Sequence, residues 1–232
     1  NMIGRYMMED GAWEQDEIEL LRWVVSACYP GETGIEILDI GANVGGHTIA
    51  FARFAHPNVT VYAFEAQRAI FTMLEQTVAL NGLDNVRCYQ RAVSAVSGAT
   101  IEIPAVDYAH AANFGALELE RAVNSDFDGT RIAGSTETII TMHIDELDLQ
   151  EVRLMKIDVE GMEDKVLEGA ARTIERCRPV IFLEYHKTDF ERVKVFLRGA
   201  RYVAYYAAHP NILCLPEEVR NLKLEGAERV AW

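Results

Sequence analysis

The sequence predicts an α/β protein built on a mostly parallel sheet with helices on both faces. Apolar runs of strand length alternate about five times with segments of helical periodicity, the pattern of repeated strand–helix–strand units. The first apolar run leads directly into a glycine-rich turn, a connection typical of nucleotide-cofactor folds. A chain of 232 residues can bury a substantial core, so we expect a single domain over residues 1–232.

The elements follow from apolar spacing and from the residues that end each run. Apolar positions three or four apart predict helices over residues 16–29, from residue 44 to before Pro57, and over 68–80, 163–176 and 190–197. Pro30-Gly31 ends the first helix, and Asn81-Gly82 caps the third. Short apolar runs predict strands over residues 36–40, 60–65, 86–90, 154–158, 180–184, 202–206 and 212–215.

Two parts of the chain lack this regular alternation. Residues 101–103 and 138–140 look like strands that add to the edge of the sheet. Between them, residues 105–135 show no clean period and are expected to be an insertion, either a substrate lid or a partner-binding loop. Residues 1–30 are expected to form an N-terminal helical lead-in.

The amino-acid composition limits the kinds of partner that the protein is expected to bind. The net charge of −14 disfavours binding to nucleic-acid phosphates or to an anionic membrane. No apolar run reaches the roughly 18 residues that a membrane-spanning helix needs. The four cysteines form no CxxC pair, so we expect buried free thiols and a cytoplasmic location. No metal site is predicted, because no His, Cys and Asp residues have metal-ligand spacing.

The glycine-rich turn after residues 36–40 is the first candidate site. Gly41 and Gly45 permit a tight turn, and the helix that follows directs free N–H groups into the same space. Asn43 occupies the position of the second glycine of a dinucleotide fingerprint, where a side chain would crowd a pyrophosphate. Asp39 at the strand end favours a cation. These features favour S-adenosylmethionine over a nicotinamide dinucleotide.

Acidic residues at other strand ends extend this site. Glu65 follows the second strand, where a carboxylate can accept hydrogen bonds from both hydroxyls of a ribose. Asp158 ends a central strand and can orient the cofactor's ammonium group or take a proton from a substrate hydroxyl. Glu184 and His186 are further candidate bases, and Glu160 is expected to cap the next helix.

Taken together, these segments resemble the FkbM-type methyltransferases, which use S-adenosylmethionine. The resemblance extends from about residue 4 to 190. Its motifs are residues 39–48, 63–65, 81–86, 156–161 and 183–184, together with Gly11 to Glu17 and a loop at Asn113-Phe114-Gly115. It implies the class I methyltransferase fold, a Rossmann-like three-layer sandwich whose seven-stranded, mostly parallel sheet has an antiparallel last strand.

The resemblance also implies roles for particular residues. Those expected to hold the methionine part of the cofactor are Asp39, Gly41, Asn43, Gly45 and Thr48. Glu65 is expected to hold the ribose, with Ala66 also in the cofactor site, Ala92 beside the adenine and Asp158 on the sulfonium side. The implied reaction is O-methylation of a small molecule or sugar, with S-adenosylhomocysteine as the product.

Two alternatives remain open at this stage. One is an NAD-dependent oxidoreductase, and the other is a non-catalytic cofactor-binding protein that uses residues 105–135 to bind a partner. The sequence does not identify the methyl acceptor, the general base or the oligomeric state.

Overall fold

A mixed sheet lies at the centre of the computed structural model, which describes residues 14–54, 58–106, 132–219, 222, 224 and 226–232. Over these residues the sheet contains seven strands: β1 (Glu36–Ile40), β2 (Thr60–Glu65), β3 (Val86–Gln90), β7 (Val152–Ile157), β8 (Val180–Glu184), β9 (Tyr202–Tyr206) and β10 (Asn211–Pro216). Their order is β3-β2-β1-β7-β8-β10-β9. The last strand, β10, is antiparallel to both β8 and β9, as predicted.

Helices cover both faces of this sheet because each presents one apolar stripe to it. On one face lie α1 (Gln15–Cys28), α2 (Gly46–Ala52) and α3 (Arg68–Leu80). On the other lie α4 (Glu163–Gly169), α5 (Ala171–Cys177) and α6 (Phe190–Gly199). The central strands are buried on both sides, which explains their uninterrupted apolar sequences. The predicted three-layer α/β architecture is therefore confirmed.

A second, smaller sheet corrects the prediction of added edge strands. It pairs β4 (Ala92–Val93), β6 (Ile132–Met142) and β5 (Thr100–Val106) in the order β4-β6-β5, with β5 and β6 antiparallel. Ile103 and Ile139 pack against Ala66, Ile70 and Ala92, so this sheet covers the start of α3 instead of extending the main sheet. Most of the 105–135 insertion, from residue 107 to 131, lies outside the described residues, as do residues 1–13 of the predicted lead-in.

The helix predicted over residues 163–176 is wrong in one respect, because it is broken at Ala170 into α4 and α5. At the break the backbone of Gly169 closely approaches that of Ser94, since a Cβ added to Gly169 would lie 2.2 Å from the carbonyl oxygen of Ser94. This contact involves residues distant in sequence, so no local pattern indicates it. No helix among the residues described is long and apolar enough to cross a membrane.

Candidate functional site

The carboxyl ends of β1, β2, β7 and β8 meet at one edge of the sheet and form a groove. Two adjoining cavities occupy it, with volumes of about 460 and 780 Å³. Gly41, Glu65, Asp158 and Glu160 line both cavities, so the groove is continuous. Parallel α/β sheets bind ligands at this edge.

The turn after β1 is held against the backbone of neighbouring strands. The N–H groups of Gly41 and Ala42 both donate to the carbonyl oxygen of Phe64, at 3.0 and 2.9 Å. Gly41 has φ of +84°, and a Cβ there would lie 1.8 Å from the carbonyl oxygen of Asp158. This glycine is therefore required because two backbone turns touch, a reason independent of any ligand.

Asn43 adopts a left-handed conformation with φ of +50°. Its N–H donates to Oε2 of Glu65 at 3.1 Å, while its own Oδ1 accepts from the N–H of Val44 at 2.8 Å. The side chain is thus turned back onto its own backbone, which Asn tolerates better than most residues in this region. The helix after the turn begins at Gly46, two residues later than expected.

Asp39 and Thr48 lie behind the groove. Both are fully buried, and the Thr48 hydroxyl donates to Oδ2 of Asp39 at 2.5 Å. Burial raises the pKa of Asp39, an effect opposed by Lys156 and by the hydrogen bond from Thr48. Within the described residues Oδ1 of Asp39 has no hydrogen-bond partner. Asp39 and Thr48 line neither of the two cavities of the groove, nor does Gly45, so direct contact of these three with a cofactor stays a prediction.

Substituting Thr48 with valine is expected to lower the free energy of unfolding by about 1–3 kcal/mol, because a buried carboxylate loses a hydrogen bond. Thr72→Val is the matched control, since Thr72 donates to the carbonyl of Arg68 on an exposed helix surface. Urea unfolding followed by circular dichroism measures both. Equal losses in the two variants would show that Thr48 does not support Asp39.

Glu65 occupies the middle of the groove as a hydrogen-bond acceptor. Oε1 accepts from the N–H of Gln67 at 2.8 Å, and Oε2 accepts from that of Asn43. Burial raises the pKa of Glu65 to about 7, although these backbone donors act in the opposite direction. A carboxylate has about four acceptor positions, so two remain for a diol.

The smaller cavity lies beside Glu65 and has an apolar character. Ala66 and Ala92, both predicted, line it together with Phe64 and Val159 from the family motifs and with four residues that the sequence did not single out: Gln67, Arg91, Val93 and Met162. For Gln67, Arg91 and Met162 the signal was their position shortly after β2, β3 and β7, whereas Val93 lies in the short strand β4. Phe64 itself stacks on Tyr89 with ring centroids 5.0 Å apart, which fixes one side of the cavity.

The larger cavity is strongly acidic. Its charged lining consists of Glu14, Glu65, Asp158, Glu160 and Glu184, with Lys156 as a cation and His47 beside them. Lys156 is buried and donates from Nζ to Oδ2 of Asp158 at 3.0 Å. Burial would raise the pKa of Asp158, but the charge of Lys156 lowers it overall.

Glu184 and Asp158 line this cavity together, and their interaction lowers the pKa of Asp158 while it raises that of Glu184. Burial, followed by the negative charges of Asp158 and Glu160, raises the pKa of Glu184 to about 8. His186 is exposed and lines neither cavity, its ring lying 5.9 Å from that of His209. Of the three predicted bases, the structure brings only Asp158 and Glu184 together.

The expectation that Glu160 caps the helix after β7 is wrong. Glu160 does not cap the following helix, because its Oε2 accepts from Nζ of Lys187 at 2.6 Å. Glu163, the first residue of α4, instead binds the preceding turn, with Oε1 accepting from the N–H groups of Val159 at 3.1 Å and Gly161 at 3.3 Å. Glu160 has φ of +55°, and this turn directs it away from the helix.

The sequence over residues 39–204, more than half of the chain, matches the methyltransferase FkbM domain. The chain belongs to the FkbM methyltransferase family. This confirms the predicted resemblance, together with S-adenosylmethionine as the methyl donor of the family. No curated protein matches the chain significantly.

Solved structures share the fold of this FkbM-family chain at low sequence identity. The methyltransferase FkbM from Methylobacillus flagellatus KT is 16% identical with a TM-score of 0.54, over 82% of this chain and 47% of that one. A protein from Clostridium thermocellum assigned as an rRNA methylase is 11% identical with a TM-score of 0.52. The match covers 94% of this chain and 95% of that one. A third protein, from Streptococcus mutans, is assigned as a methyltransferase and was solved with S-adenosylhomocysteine. It is 11% identical with a TM-score of 0.51, and the match covers 85% of this chain and 96% of that one.

The chain spans about half the length of the Methylobacillus protein. These identities show a common class I fold, and they leave the acceptor open because the neighbours differ in what they are assigned to methylate. The groove of this FkbM-family chain fits S-adenosylmethionine on its own chemistry. Glu65 retains acceptor positions for a ribose diol, the apolar cavity suits an adenine, and the acidic cavity suits the cationic half.

Proposed function

We propose that this chain transfers the methyl group of S-adenosylmethionine to a hydroxyl oxygen of a small molecule or sugar. The observation that supports the transfer to oxygen is the Asp158–Glu184 carboxyl pair beside Lys156 in the acidic cavity. A hydroxyl must lose a proton as it is methylated, and this pair supplies a base whose pKa lies near neutrality.

The cofactor half of the groove is assigned residue by residue. Glu65 accepts hydrogen bonds from the ribose hydroxyls, and Ala66 and Ala92 contact the adenine. A dinucleotide is disfavoured because its diphosphate would face the acidic lining of the larger cavity, which has five carboxyl groups and one lysine. When bound, S-adenosylmethionine supplies a methyl group that its sulfonium centre already activates.

Glu184 is the proposed general base. With a pKa of about 8, about a tenth of Glu184 is ionised at pH 7 and about half at pH 8, and its ionised form is more basic than an ordinary carboxylate. Asp158 stays ionised through its ion pair with Lys156. Asp158 therefore accepts the hydrogen bond of the protonated base and holds the pair in place, while Glu184 receives the proton of the acceptor hydroxyl.

A small neutral or cationic acceptor is proposed over a nucleic acid. The larger cavity has five carboxylates and a single lysine in its lining, and the whole chain has a net charge of −14. Both features repel a polyanion such as RNA. The family resemblance independently favours a small molecule or a sugar.

The proposed function is tested in two steps. Isothermal titration calorimetry with S-adenosylmethionine is expected to give one site, with S-adenosylhomocysteine competing for it. The protein is then incubated with methyl-labelled donor and a panel of sugars and small alcohols, and label in the acceptor is identified by mass spectrometry. Absence of binding overturns the methyltransferase assignment, whereas label on nitrogen, carbon or RNA alone overturns the O-methylation.

Glu65→Gln is expected to weaken binding of S-adenosylmethionine about 10- to 150-fold, equivalent to losing about 1.5–3 kcal/mol of charged hydrogen bonding. The amide has one oxygen, so it cannot accept from both backbone N–H groups and both ribose hydroxyls. Calorimetry measures the change, and Glu75→Gln on the exposed surface of α3 is the control. Equal affinity in the two variants would remove Glu65 from the ribose site.

A further inference from the structure

Three potential metal ligands converge at one end of the larger cavity, beside the start of α1. They are Glu14, Glu17 and His47, and one donor atom of each lies within 4.8 Å of those of the other two. Nε2 of His47 is 3.6 Å from Oε2 of Glu14 and 3.9 Å from Oε2 of Glu17. The three residues come from two elements that are about thirty positions apart in sequence, which is why spacing alone did not reveal them.

The burial of His47 and the lack of a hydrogen-bond partner for its Nε2 within the described part of the chain are a second observation, independent of the spacing of the three ligands. The residue is only 6% exposed, and its Nε2 has no hydrogen-bond partner among the described residues although it is directed at the two carboxylates. Both Nε2–oxygen distances exceed the range of a hydrogen bond. A buried polar atom without a hydrogen bond is costly, so this arrangement calls for a further group.

From this geometry we infer that Glu14, Glu17 and His47 bind a divalent first-row transition-metal ion. Ligands bound tetrahedrally to such an ion at about 2.0–2.2 Å lie about 3.3–3.6 Å apart. The observed 3.6 and 3.9 Å therefore require only a small contraction of the side chains around the ion. Imidazole with two carboxylates suits Zn²⁺ or Mn²⁺ better than Mg²⁺ or Ca²⁺, which prefer oxygen ligands alone.

Metal ligation requires a neutral His47 and an ionised Glu17. Burial lowers the pKa of His47 to about 3, so its imidazole is neutral and can act as a ligand. Burial and the charge of Glu14 raise the pKa of Glu17 to about 7, and a bound cation would favour its ionised form. Glu17 Oε1 already accepts from Nδ2 of Asn211 at 2.8 Å, a contact that holds the ligand in orientation.

Because the cluster lies in the acidic cavity, the ion can take part in the proposed methyl transfer. This role rests on the proposed function. Glu14 and His47 line the same cavity as Glu184, and three protein ligands leave coordination positions open. An acceptor hydroxyl bound there would have a lowered pKa, which eases loss of its proton to Glu184. The ion would also bind and orient acceptors that carry vicinal oxygens.

The test is metal binding by the whole chain without any acceptor. After treatment with chelator, Zn²⁺ is titrated by calorimetry, and Co²⁺ is titrated while its visible absorption bands are recorded. We expect one site per chain, and His47→Ala and Glu17→Gln are each expected to weaken it at least about tenfold. If His47→Ala fails to fold, Glu17→Gln still tests the site. Its amide oxygen can accept the hydrogen bond from Asn211, so this variant should fold.

Controls separate this site from adventitious binding and from the cofactor site. His209→Ala and Glu19→Gln alter exposed residues outside the cluster and are expected to leave affinity unchanged. Equal affinity in all four variants, or no binding, overturns the metal site. Competition between Zn²⁺ and S-adenosylmethionine would assign the cluster to the cofactor's ammonium group and also overturn it. Failure of S-adenosylmethionine to bind, with metal binding intact, would instead overturn the proposed function.

Discussion

Glu184→Gln is expected to slow methyl transfer about 10²- to 10⁴-fold with little change in S-adenosylmethionine affinity, because it removes the base and leaves Glu65 and the adenine cavity intact. In the unaltered protein, kcat/KM is expected to rise with pH through about 8, the pKa to which burial raises Glu184. The direction follows from the role: protonated Glu184 is inactive at low pH, and its ionised form accumulates as pH increases. In Glu184→Gln this rise is expected to disappear.

Two further variants test whether the rise of kcat/KM with pH comes from Glu184. Asp158→Asn removes the neighbouring negative charge that helps to raise the pKa of Glu184, so the rise in kcat/KM is expected to move to lower pH. Glu191→Gln, at an exposed position at the start of α6, should leave both the rate and its pH dependence unchanged. A pH profile that is the same with and without Glu184 would assign the base to another group.

The regular core of the fold was predictable because local sequence reports burial on both faces of a parallel strand. β1, β3, β8 and α3 begin and end where the apolar runs indicated. The break between α4 and α5 could not be read locally, since it coincides with a contact between Gly169 and Ser94, which are distant in sequence. The separate small sheet was missed for a similar reason, because β4 has only two residues and its pairing with β6 is distant in sequence.

The site was predictable in part. Strand ends indicated Glu65, Asp158 and Glu184, because residues after parallel strands meet at one edge. The sequence could not show that Lys156 is buried beside Asp158, because its burial depends on how the surrounding elements pack. Nor could it show that Glu14 and Glu17 approach His47, because that contact depends on how α1 packs. Conversely, Asp39 has the residue type of a cofactor ligand, but its side chain is fully buried behind the turn.

Gly41→Ala is expected to lower the free energy of unfolding by at least about 3 kcal/mol. Two costs add at this position. The left-handed backbone, with φ of +84°, opposes any Cβ, and the new methyl group would lie 1.8 Å from the carbonyl oxygen of Asp158. Separating the turns after β1 and β7 would also widen the groove, so a fall in S-adenosylmethionine affinity is expected in any folded fraction.

Gly82→Ala isolates the first of these costs. Gly82 has φ of +63°, and nothing lies within 4 Å of the Cβ that would be added, so only the backbone strain of about 1–2 kcal/mol is expected. Urea unfolding of both variants gives the difference, which is the cost of the clash with Asp158. Equal destabilisation would mean that the β7 turn can shift freely, and the Asp158–Glu184 pair would then lack the fixed position that its proposed role requires.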